Sequence, residues 1–252
     1  ADFGKMSNVQ AAVRPWKTTS APRTLTASSS SGTLAVASRC LAPRRSVSLS
    51  KLYDLDTACT CTPEEEWHSL STSLINAFKL SAKICSNHPA STCLASHTSK
   101  VRKLVQFLED CGDWVDGAYT RNTVLVGDGF VMMLLCWSPG ASSPIHAHSD
   151  KISGVQSNCF MLVLEGELTE TVYGADVVDG DCVRSFGCSR SLTGGSTAYI
   201  NDDIGVHKVA NKTDQRALSL HVYAPGWDTV SLFVETPTDA DGAPFDVDWA
   251  DF

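Results

Sequence analysis

The pattern of hydrophobic and polar positions divides the chain into a helical part and a longer part made of strands. Thr62, Pro63 and Glu65 supply an N-cap, a proline at the first helical position and a capping-box acid. Apolar residues then recur at helical spacing, at Trp67, Leu70, Leu74, Ile75 and Phe78. A second helix is predicted from Ser99 to Glu109, with its inward positions at Val101, Leu104, Val105 and Leu108. The pattern therefore predicts two helices ahead of the strands.

From Tyr119 onward the hydrophobic period changes to two, which is typical of β-strands. Glycine, aspartate and proline separate nine predicted strands, at residues 119–126, 130–137, 144–149, 159–165, 167–174, 196–201, 206–210, 216–223 and 229–235. The segment around Glu165, Gly166 and Glu167 predicts a hairpin between two of them. Many short antiparallel strands without intervening helices indicate a mainly β fold, a sandwich or barrel of the jelly-roll type preceded by N-terminal helices.

The two ends of the chain lack this pattern. Residues 1–58 are rich in serine, threonine, alanine and arginine and contain no apolar run typical of a secretory signal. This composition indicates either an organellar transit peptide or a disordered extension. The tail beyond Thr236 has little pattern, and Phe245 and Trp249 are candidates for packing it onto the barrel. We assign the folded domain to residues 59–252, with helices over 62–112 and the barrel over 117–236.

Composition and charge narrow the classes of partner. A formal net charge of −8 and a pI near 5.3 argue against a nucleic-acid partner, which favours a basic face. No apolar run approaches the length of a membrane span, so we expect a soluble protein without a membrane partner. The ten cysteines are scattered, and Cys59 and Cys61 form only a Cys-x-Cys pair without zinc-finger spacing. Free, reduced cysteines favour a cytoplasmic location, with organellar import as the alternative.

Three histidines form the strongest chemical pattern. His146 and His148 are one residue apart, so on a strand their imidazoles point to the same side. Two neutral imidazoles need only one or two more ligands to hold a divalent transition metal. His207, followed four residues later by Asn211, lies on another predicted strand. The histidines without such partner motifs are predicted to be exposed or structural: His68, His88 and His97.

These motifs resemble the two motifs of the cupin superfamily. The first is Gly-x5-His-x-His followed by a second glycine, here Gly140 and Gly166, and the other is a lone histidine followed by x3-Asn. The resemblance covers roughly residues 115–235, but Cys159, seven residues before Gly166, stands where cupins usually have an acidic fourth ligand. Further segments resemble cysteine dioxygenase, the thiol-oxidising branch of the cupins: YTRN at 119–122, CW at 136–137, YINDDIGVH at 199–207 and SLHVY at 219–223.

The resemblance to cysteine dioxygenase implies a mononuclear non-haem Fe(II) held by His146, His148 and His207. Such a ligand set leaves positions for a thiolate and dioxygen, although the ligand types alone do not distinguish iron from nickel, copper or zinc. The resemblance also implies a thioether bond between Cys159 and Tyr223. The alternative for Cys159 is an ordinary buried cysteine of a strand.

Further residues receive roles from the same resemblance. Arg121 would pair with a substrate carboxylate through its planar guanidinium, and Tyr119, on the same strand face, would support it. His221 would orient the phenol of Tyr223, which would contact the substrate and the oxygen intermediates. Without the resemblance, all four are ordinary polar residues of strands. A polar insertion over 149–158, longer than the connection in related cysteine dioxygenases, leaves the placement of the following strand open.

The resemblance therefore implies a monomeric enzyme that oxidises L-cysteine with O2 to cysteine sulfinate. A 3-mercaptopropionate dioxygenase, or a dioxygenase of another small thiol, would share the three-histidine site. Relatives with 3-mercaptopropionate activity tend to have glutamine where this chain has Arg121, and they lack the cysteine seen at Cys159. A non-catalytic, metal-binding cupin is the alternative from another class.

Overall fold

The computed structural model describes residues 61–175, 178–183 and 187–235, all within the unit formed by residues 35–252. The extension predicted over residues 1–58, and the tail with Phe245 and Trp249, lie outside the described residues. Within the described part, no helix has both the length and the hydropathy that crossing a membrane requires.

The helical part begins as the sequence predicts and then differs from it. Helix α1 spans Pro63–Leu80, helix α2 spans Pro89–Ser96 and helix α3 spans Val101–Leu108, with 3-10 turns at Thr98–Lys100 and Glu109–Cys111. The capping box is confirmed, because the Glu65 amide donates to Thr62 Oγ1 at 3.2 Å and the Thr62 amide donates to Glu65 Oε2 at 2.7 Å. Both predicted helices are confirmed, as α1 and as α3 with its preceding 3-10 turn, but the pattern missed α2, which lies between them.

Helix α2 has an unusual start, which explains why the pattern did not reveal it. Its N-cap is His88, whose Nδ1 accepts a hydrogen bond from the Ala90 amide at 3.2 Å. Serine, threonine, aspartate and asparagine are the usual N-cap residues, so the N-cap position gave no start signal, and Pro89 at the first helical position was the one available. The helix is also only 8 residues long, too short for a clear apolar period.

The strands form two sheets. Twelve strands are present in the described residues: β1 Tyr119–Gly127, β2 Phe130–Trp137, β3 Ile145–Asp150, β4 Asn158–Glu165, β5 Glu167–Gly174, β6 Val178–Asp179, β7 Cys182–Val183, β8 Cys188–Thr193, β9 Thr197–Ile200, β10 Gly205–Ala210, β11 Ala217–Ala224 and β12 Val230–Glu235. One sheet has the order β1-β2-β11-β4-β9, and the other has the order β6-β7-β12-β3-β10-β5-β8. All nine predicted strands are confirmed to within two residues. The pattern missed β6 and β7, which have two residues each, and the largely polar β8.

The hairpin predicted at Gly166 is wrong. Strand β4 pairs with β11 and β9 in the first sheet, whereas β5 pairs with β10 and β8 in the second. The chain therefore crosses between sheets at Gly166, whose φ is +78°. A side chain there would place Cβ 2.7 Å from the Arg216 carbonyl oxygen and 2.8 Å from Ala217 Cβ. Glycine is required by both the backbone conformation and this close approach.

The first sheet is buried on both faces, because the helices cover its outer side. Apolar residues of the helices, among them Leu70, Leu94 and Leu104, pack against even-numbered residues of β2, β4 and β11. Odd-numbered residues of the same strands point between the two sheets and form a second core cluster. Since side chains alternate along a strand, Cys159 and Tyr223 face the interior of the barrel. The fold is thus the mainly β architecture that the pattern predicts, with helices on one side.

Candidate metal site

The two sheet strands β3 and β10 bring three histidines together inside the barrel. His146 and His207 are direct partners in the β3–β10 register, and His148 follows on the same face of β3. The ring centroids of His146 and His207 are 4.7 Å apart, those of His148 and His207 4.8 Å, and those of His146 and His148 5.2 Å. One ligand atom from each residue lies within 4.8 Å of the others, and all three residues are buried.

The three histidines that belong to no motif lie in the helical layer. His68 is exposed on α1. His88 caps α2, and His97 Nδ1 lies 2.8 Å from the Cys93 carbonyl oxygen, so both are buried and hydrogen-bonded. None of them belongs to the three-histidine cluster. This is the structural role that the sequence predicts for them.

A carboxylate orients the ring of His207. His207 Nδ1 lies 2.8 Å from Glu170 Oε1, and the other oxygen of Glu170 accepts from Arg190 Nε at 2.9 Å and from Nη2 at 2.7 Å. Burial alone would raise the pKa of Glu170, but the bonds from His207 and Arg190 outweigh it and hold that pKa below its usual value. The carboxylate therefore accepts a hydrogen bond from Nδ1–H of His207. This leaves Nε2 unprotonated and able to bind a metal.

The other two histidines are held through backbone groups. His146 Nδ1 lies 3.0 Å from the Pro144 carbonyl oxygen. The Asp202 carboxylate accepts from the amide of His148 at 2.5 Å and from that of Ser149 at 2.7 Å, which ties β3 to the turn before β10. Sequence reasoning missed both Glu170 and Asp202. An acid between Leu168 and Val172, two inward apolar positions of β5, was the available signal for Glu170.

The donor set fits a transition-metal ion. Burial lowers the pKa of His146 well below its usual value, and the neighbouring His207 and His148 add to this; burial also lowers the pKa of His148, to about 4. These rings are therefore neutral near pH 7, as metal ligands must be. Nε2 of His148 is buried with no hydrogen-bond partner among the described residues, and Nδ1 lies 3.7 Å from Asp202 Oδ1, beyond hydrogen-bond reach. Buried polar atoms normally have partners, and a metal ion would provide one here.

Replacing Glu170 by glutamine is expected to weaken metal binding by roughly 10- to 100-fold, the usual effect of removing the partner of a ligating histidine. The reason is that a neutral amide accepts the His207 proton less strongly than a carboxylate does. The dissociation constant for Co(II) or Fe(II), measured by competition with a chelator, checks this. Glu167→Gln is the matched control, because Glu167 is exposed on the same strand. Equal affinity in Glu170→Gln and wild type would contradict the assignment.

A guanidinium and several aromatic rings line the adjacent space. Arg121 Cζ lies 4.8 Å from the ring centroid of Trp227 and 5.8 Å from those of Tyr119 and Tyr223. The Tyr119 ring in turn stacks on Trp137, with centroids 4.7 Å apart. The Nε of Arg121 is buried without a hydrogen-bond partner among the described residues. The Tyr223 ring that Arg121 contacts lies 6.4 Å from the His148 ring, and the positive charge of Arg121 lowers the pKa of His146, so this cation lies beside the histidine cluster.

A chain of hydrogen bonds leads from the core to Tyr223. Trp137 Nε1 donates to Ser219 Oγ at 2.9 Å, Ser219 Oγ lies 2.9 Å from His221 Nε2, and His221 Nδ1 lies 3.3 Å from the Tyr223 hydroxyl. Burial lowers the pKa of His221 well below its usual value and raises that of the Tyr223 phenol. With Ser219 donating to Nε2, His221 Nδ1–H donates to the phenol oxygen, and the phenol keeps its own proton for a further partner.

Cys159 lies directly opposite Tyr223. The two residues are register partners on the adjacent antiparallel strands β4 and β11, and Cys159 Sγ is 3.7 Å from His221 Nδ1. Burial raises the pKa of this thiol, so it is neutral near pH 7. The polar insertion therefore projects between Asp150 and Asn158 without moving Cys159 out of the barrel interior. The structure brings together all eight residues singled out for the site.

Comparison with known proteins agrees with this arrangement. The family model described as cysteine dioxygenase type I matches residues 96–236, more than half of the chain. Cysteine dioxygenase type 1 of Rattus norvegicus is 41% identical over 118 residues, which cover 46% of this chain and 55% of that protein, and the Homo sapiens protein has the same values. The Danio rerio protein is 38% identical over 130 residues, covering 48% and 61%. The chain spans about half the length of the relatives it matches.

Solved structures resemble the chain more distantly. A conserved protein with a double-stranded β-helix domain from Klebsiella pneumoniae has a TM-score of 0.39 at 19% identity, covering 50% of this chain and 94% of that one. A cupin superfamily protein from Desulfitobacterium hafniense has a TM-score of 0.33 at 14% identity, covering 45% and 84%. Likenesses at these TM-scores carry no inference about function. On the match over residues 96–236, the chain belongs to the cysteine dioxygenase type I family.

Proposed function

We propose that this protein is a thiol dioxygenase that oxidises L-cysteine with O2 to cysteine sulfinate, using Fe(II) held by His146, His148 and His207. The observation that carries the proposal is the Arg121 cation beside a buried cluster of three histidines, two of which, His146 and His148, burial keeps neutral. A carboxylated thiol fits both features, since its carboxylate pairs with a guanidinium and its sulfur is a ligand for iron. The reaction balances as a four-electron oxidation of sulfur, with both atoms of O2 retained in the sulfinate.

An iron ion bound by the three histidines would supply the redox chemistry and open positions where thiolate and dioxygen can meet. Among the described residues, the cluster that could hold the metal contains neither a carboxylate nor a thiol. The nearest acid, Glu170, stands behind His207 and is neutralised by Arg190, and burial keeps the Cys159 thiol neutral. The substrate thiolate therefore enters a site without a competing anionic ligand.

The side chains around the site bind and orient the substrate. The guanidinium of Arg121 offers a planar fork that binds a carboxylate through two parallel hydrogen bonds. Tyr223 keeps its proton and is held by His221, so its hydroxyl can donate a hydrogen bond to the substrate or to the oxygen that reaches sulfur. Aromatic rings on several sides of Arg121 limit water there, which strengthens the ionic contact.

Metal analysis combined with product analysis tests the proposal. Protein prepared without added metal chelators is expected to contain iron, to consume O2 only when L-cysteine is present, and to form one sulfinate for each O2. Zinc in place of iron with no oxygen uptake would favour the non-catalytic cupin. Faster oxidation of 3-mercaptopropionate than of L-cysteine would favour that substrate, and the presence of Arg121 argues against it.

A thioether bond between Cys159 and Tyr223 is expected to form during turnover. The two are opposite each other across β4 and β11, as joining Sγ to the phenol ring requires. The S–H bond and one ring C–H bond break as the C–S bond forms, and O2 accepts the two hydrogens as H2O2. Protein that has turned over should contain a form lighter by the mass of the two hydrogens after full reduction, which excludes a disulfide. Peptides containing Cys159 and Tyr223 should be joined.

The matched variant is Cys159→Ser, which should show no such form under the same conditions. Alkylation of Cys159 in denatured protein, after extensive turnover at full activity, would contradict the cross-link. Denaturation is needed because the folded protein buries this thiol.

A further inference from the structure

The insertion between β3 and β4 is attached to the loop that follows β11. We call residues 151–157 the mouth hairpin. At its base, Asp150 Oδ1 accepts from the amides of Ile152 at 3.1 Å and Ser153 at 2.8 Å. The second oxygen, Oδ2, accepts from the amides of Asp228 at 3.2 Å and Thr229 at 3.1 Å. One carboxylate thus holds the mouth hairpin and the loop over residues 225–229 together.

Further hydrogen bonds join the same two segments at both ends of the loop. The Lys151 amide donates to the Thr229 carbonyl oxygen at 2.8 Å, and Ser157 Oγ donates to the Pro225 carbonyl oxygen at 2.5 Å. Residues 225–229 belong to neither sheet. This loop has no strand partner of its own, so between its ends at β11 and β12 these hydrogen bonds to Asp150 and the mouth hairpin help to fix its position.

The loop carries Trp227, whose ring reaches the substrate side of the site. Its centroid lies 4.8 Å from Arg121 Cζ and 5.3 Å from the Tyr223 ring, which it meets edge to face at 76°. This is the shortest of the three ring contacts made by the Arg121 guanidinium. Trp227 is half-buried, and its Nε1 is buried without a hydrogen-bond partner among the described residues.

Stacking of this kind restricts the guanidinium. A cation over an indole face is attracted by the ring, and tryptophan is the strongest of the aromatic residues in this respect. An arginine side chain has considerable rotational freedom, and binding a carboxylate through two bonds requires one orientation of the guanidinium plane. A guanidinium already held by Trp227 loses less freedom when the carboxylate binds.

We infer that the mouth hairpin is a substrate-selection element: through Asp150 it positions the loop that carries Trp227, and Trp227 holds Arg121 ready for thiols that bear a carboxylate. The inference rests on the proposed function. Asp150 and Trp227 are positioning residues, because they act through Arg121. The mouth hairpin thereby links an inserted segment at the barrel opening to the choice of substrate.

Binding without turnover tests the inference. Iron-loaded protein is titrated anaerobically by calorimetry with L-cysteine and with cysteamine, which lacks the carboxylate. Trp227→Leu is expected to raise the dissociation constant for L-cysteine roughly five- to thirtyfold, the range for a cation–π contact from moderate to strong. The constant for cysteamine should stay within about twofold, which corresponds to little change in binding energy. In aerobic assays KM for L-cysteine should rise while kcat is retained.

Three further variants make the result specific. Trp227→Phe keeps an aromatic face and should recover most of the affinity for L-cysteine. Asp150→Ala removes the carboxylate that joins the two segments. It should raise the dissociation constant for L-cysteine, as Trp227→Leu does. Asp228→Ala is the matched control, since it removes a negative charge from the same loop but keeps the backbone amide that Asp150 binds. It should behave as wild type. Iron content should be equal in all variants.

Different outcomes separate this inference from the proposed function. If the wild type binds L-cysteine no better than cysteamine, the carboxylate subsite is wrong and both fall. If the wild type binds L-cysteine better than cysteamine, and Trp227→Leu and Asp150→Ala keep the same preference, the inference alone is overturned. An equal loss of affinity for L-cysteine and cysteamine in Trp227→Leu, or a loss of iron, would also overturn the inference, because the effect would then not act through Arg121. Should Trp227→Leu fail to fold, the same comparison of L-cysteine with cysteamine in Asp150→Ala decides.

Discussion

Replacing His207 by alanine is expected to abolish both metal binding and cysteine oxidation while the fold survives. The two imidazoles that remain, His146 and His148, come from one strand and leave the metal without a ligand from the adjacent strand β10. The fold should persist because its stability comes from the apolar cores on both sides of the first sheet. Metal content by mass spectrometry and thermal unfolding of the metal-free protein check the two halves of the prediction.

The control for His207→Ala is His68→Ala, since His68 is exposed on α1 and far from any ligand motif. It should keep full metal content and activity. Full metal occupancy in His207→Ala would contradict the three-histidine assignment. Loss of the fold in His207→Ala would instead show that the Glu170–Arg190 pair behind the ring needs His207 to stay buried.

Replacing Arg121 by alanine is expected to lower kcat/KM for L-cysteine by roughly ten- to a hundredfold, because a hydrogen bond to a charged group contributes about 1.5–3 kcal/mol. The enclosure of the guanidinium by Tyr119, Tyr223 and Trp227 supports the upper part of this range. Steady-state oxygen uptake with L-cysteine and with cysteamine measures the effect. Cysteamine should be a poor substrate of the wild type, and its kcat/KM should fall little in the variant.

Arg121→Lys is the informative companion to Arg121→Ala. Lysine keeps the charge but lacks the planar fork, so it should recover only part of the lost kcat/KM. An equal loss of kcat/KM for L-cysteine and cysteamine in Arg121→Ala would mean that Arg121 supports the site as a whole and does not bind the substrate carboxylate.

The sequence by itself determined the features that depend on near neighbours in the chain. The capping box of α1 joins residues three apart, and the same-side placement of His146 and His148 follows from the alternation along one strand. Strand positions could also be predicted, because alternation and turn residues are local signals. The resemblance to cysteine dioxygenase added the inward residues of β1, β4 and β11, and the structure places Arg121, Cys159 and Tyr223 around one space.

Only the tertiary structure decided which strands pair and what stands behind each ligand. The periodic pattern around Gly166 suits a hairpin and a sheet crossing equally well, and the close approach of Ala217 from a distant strand decides between them. Glu170 and Asp202 bond to His207 and to the His148 amide across 37 and 54 positions of the sequence, so no local pattern could reveal those contacts. The contact of Trp227 with Arg121 likewise depends on a loop held by hydrogen bonds from another segment, because hydrogen bonds and packing between distant residues exist only once the chain is folded.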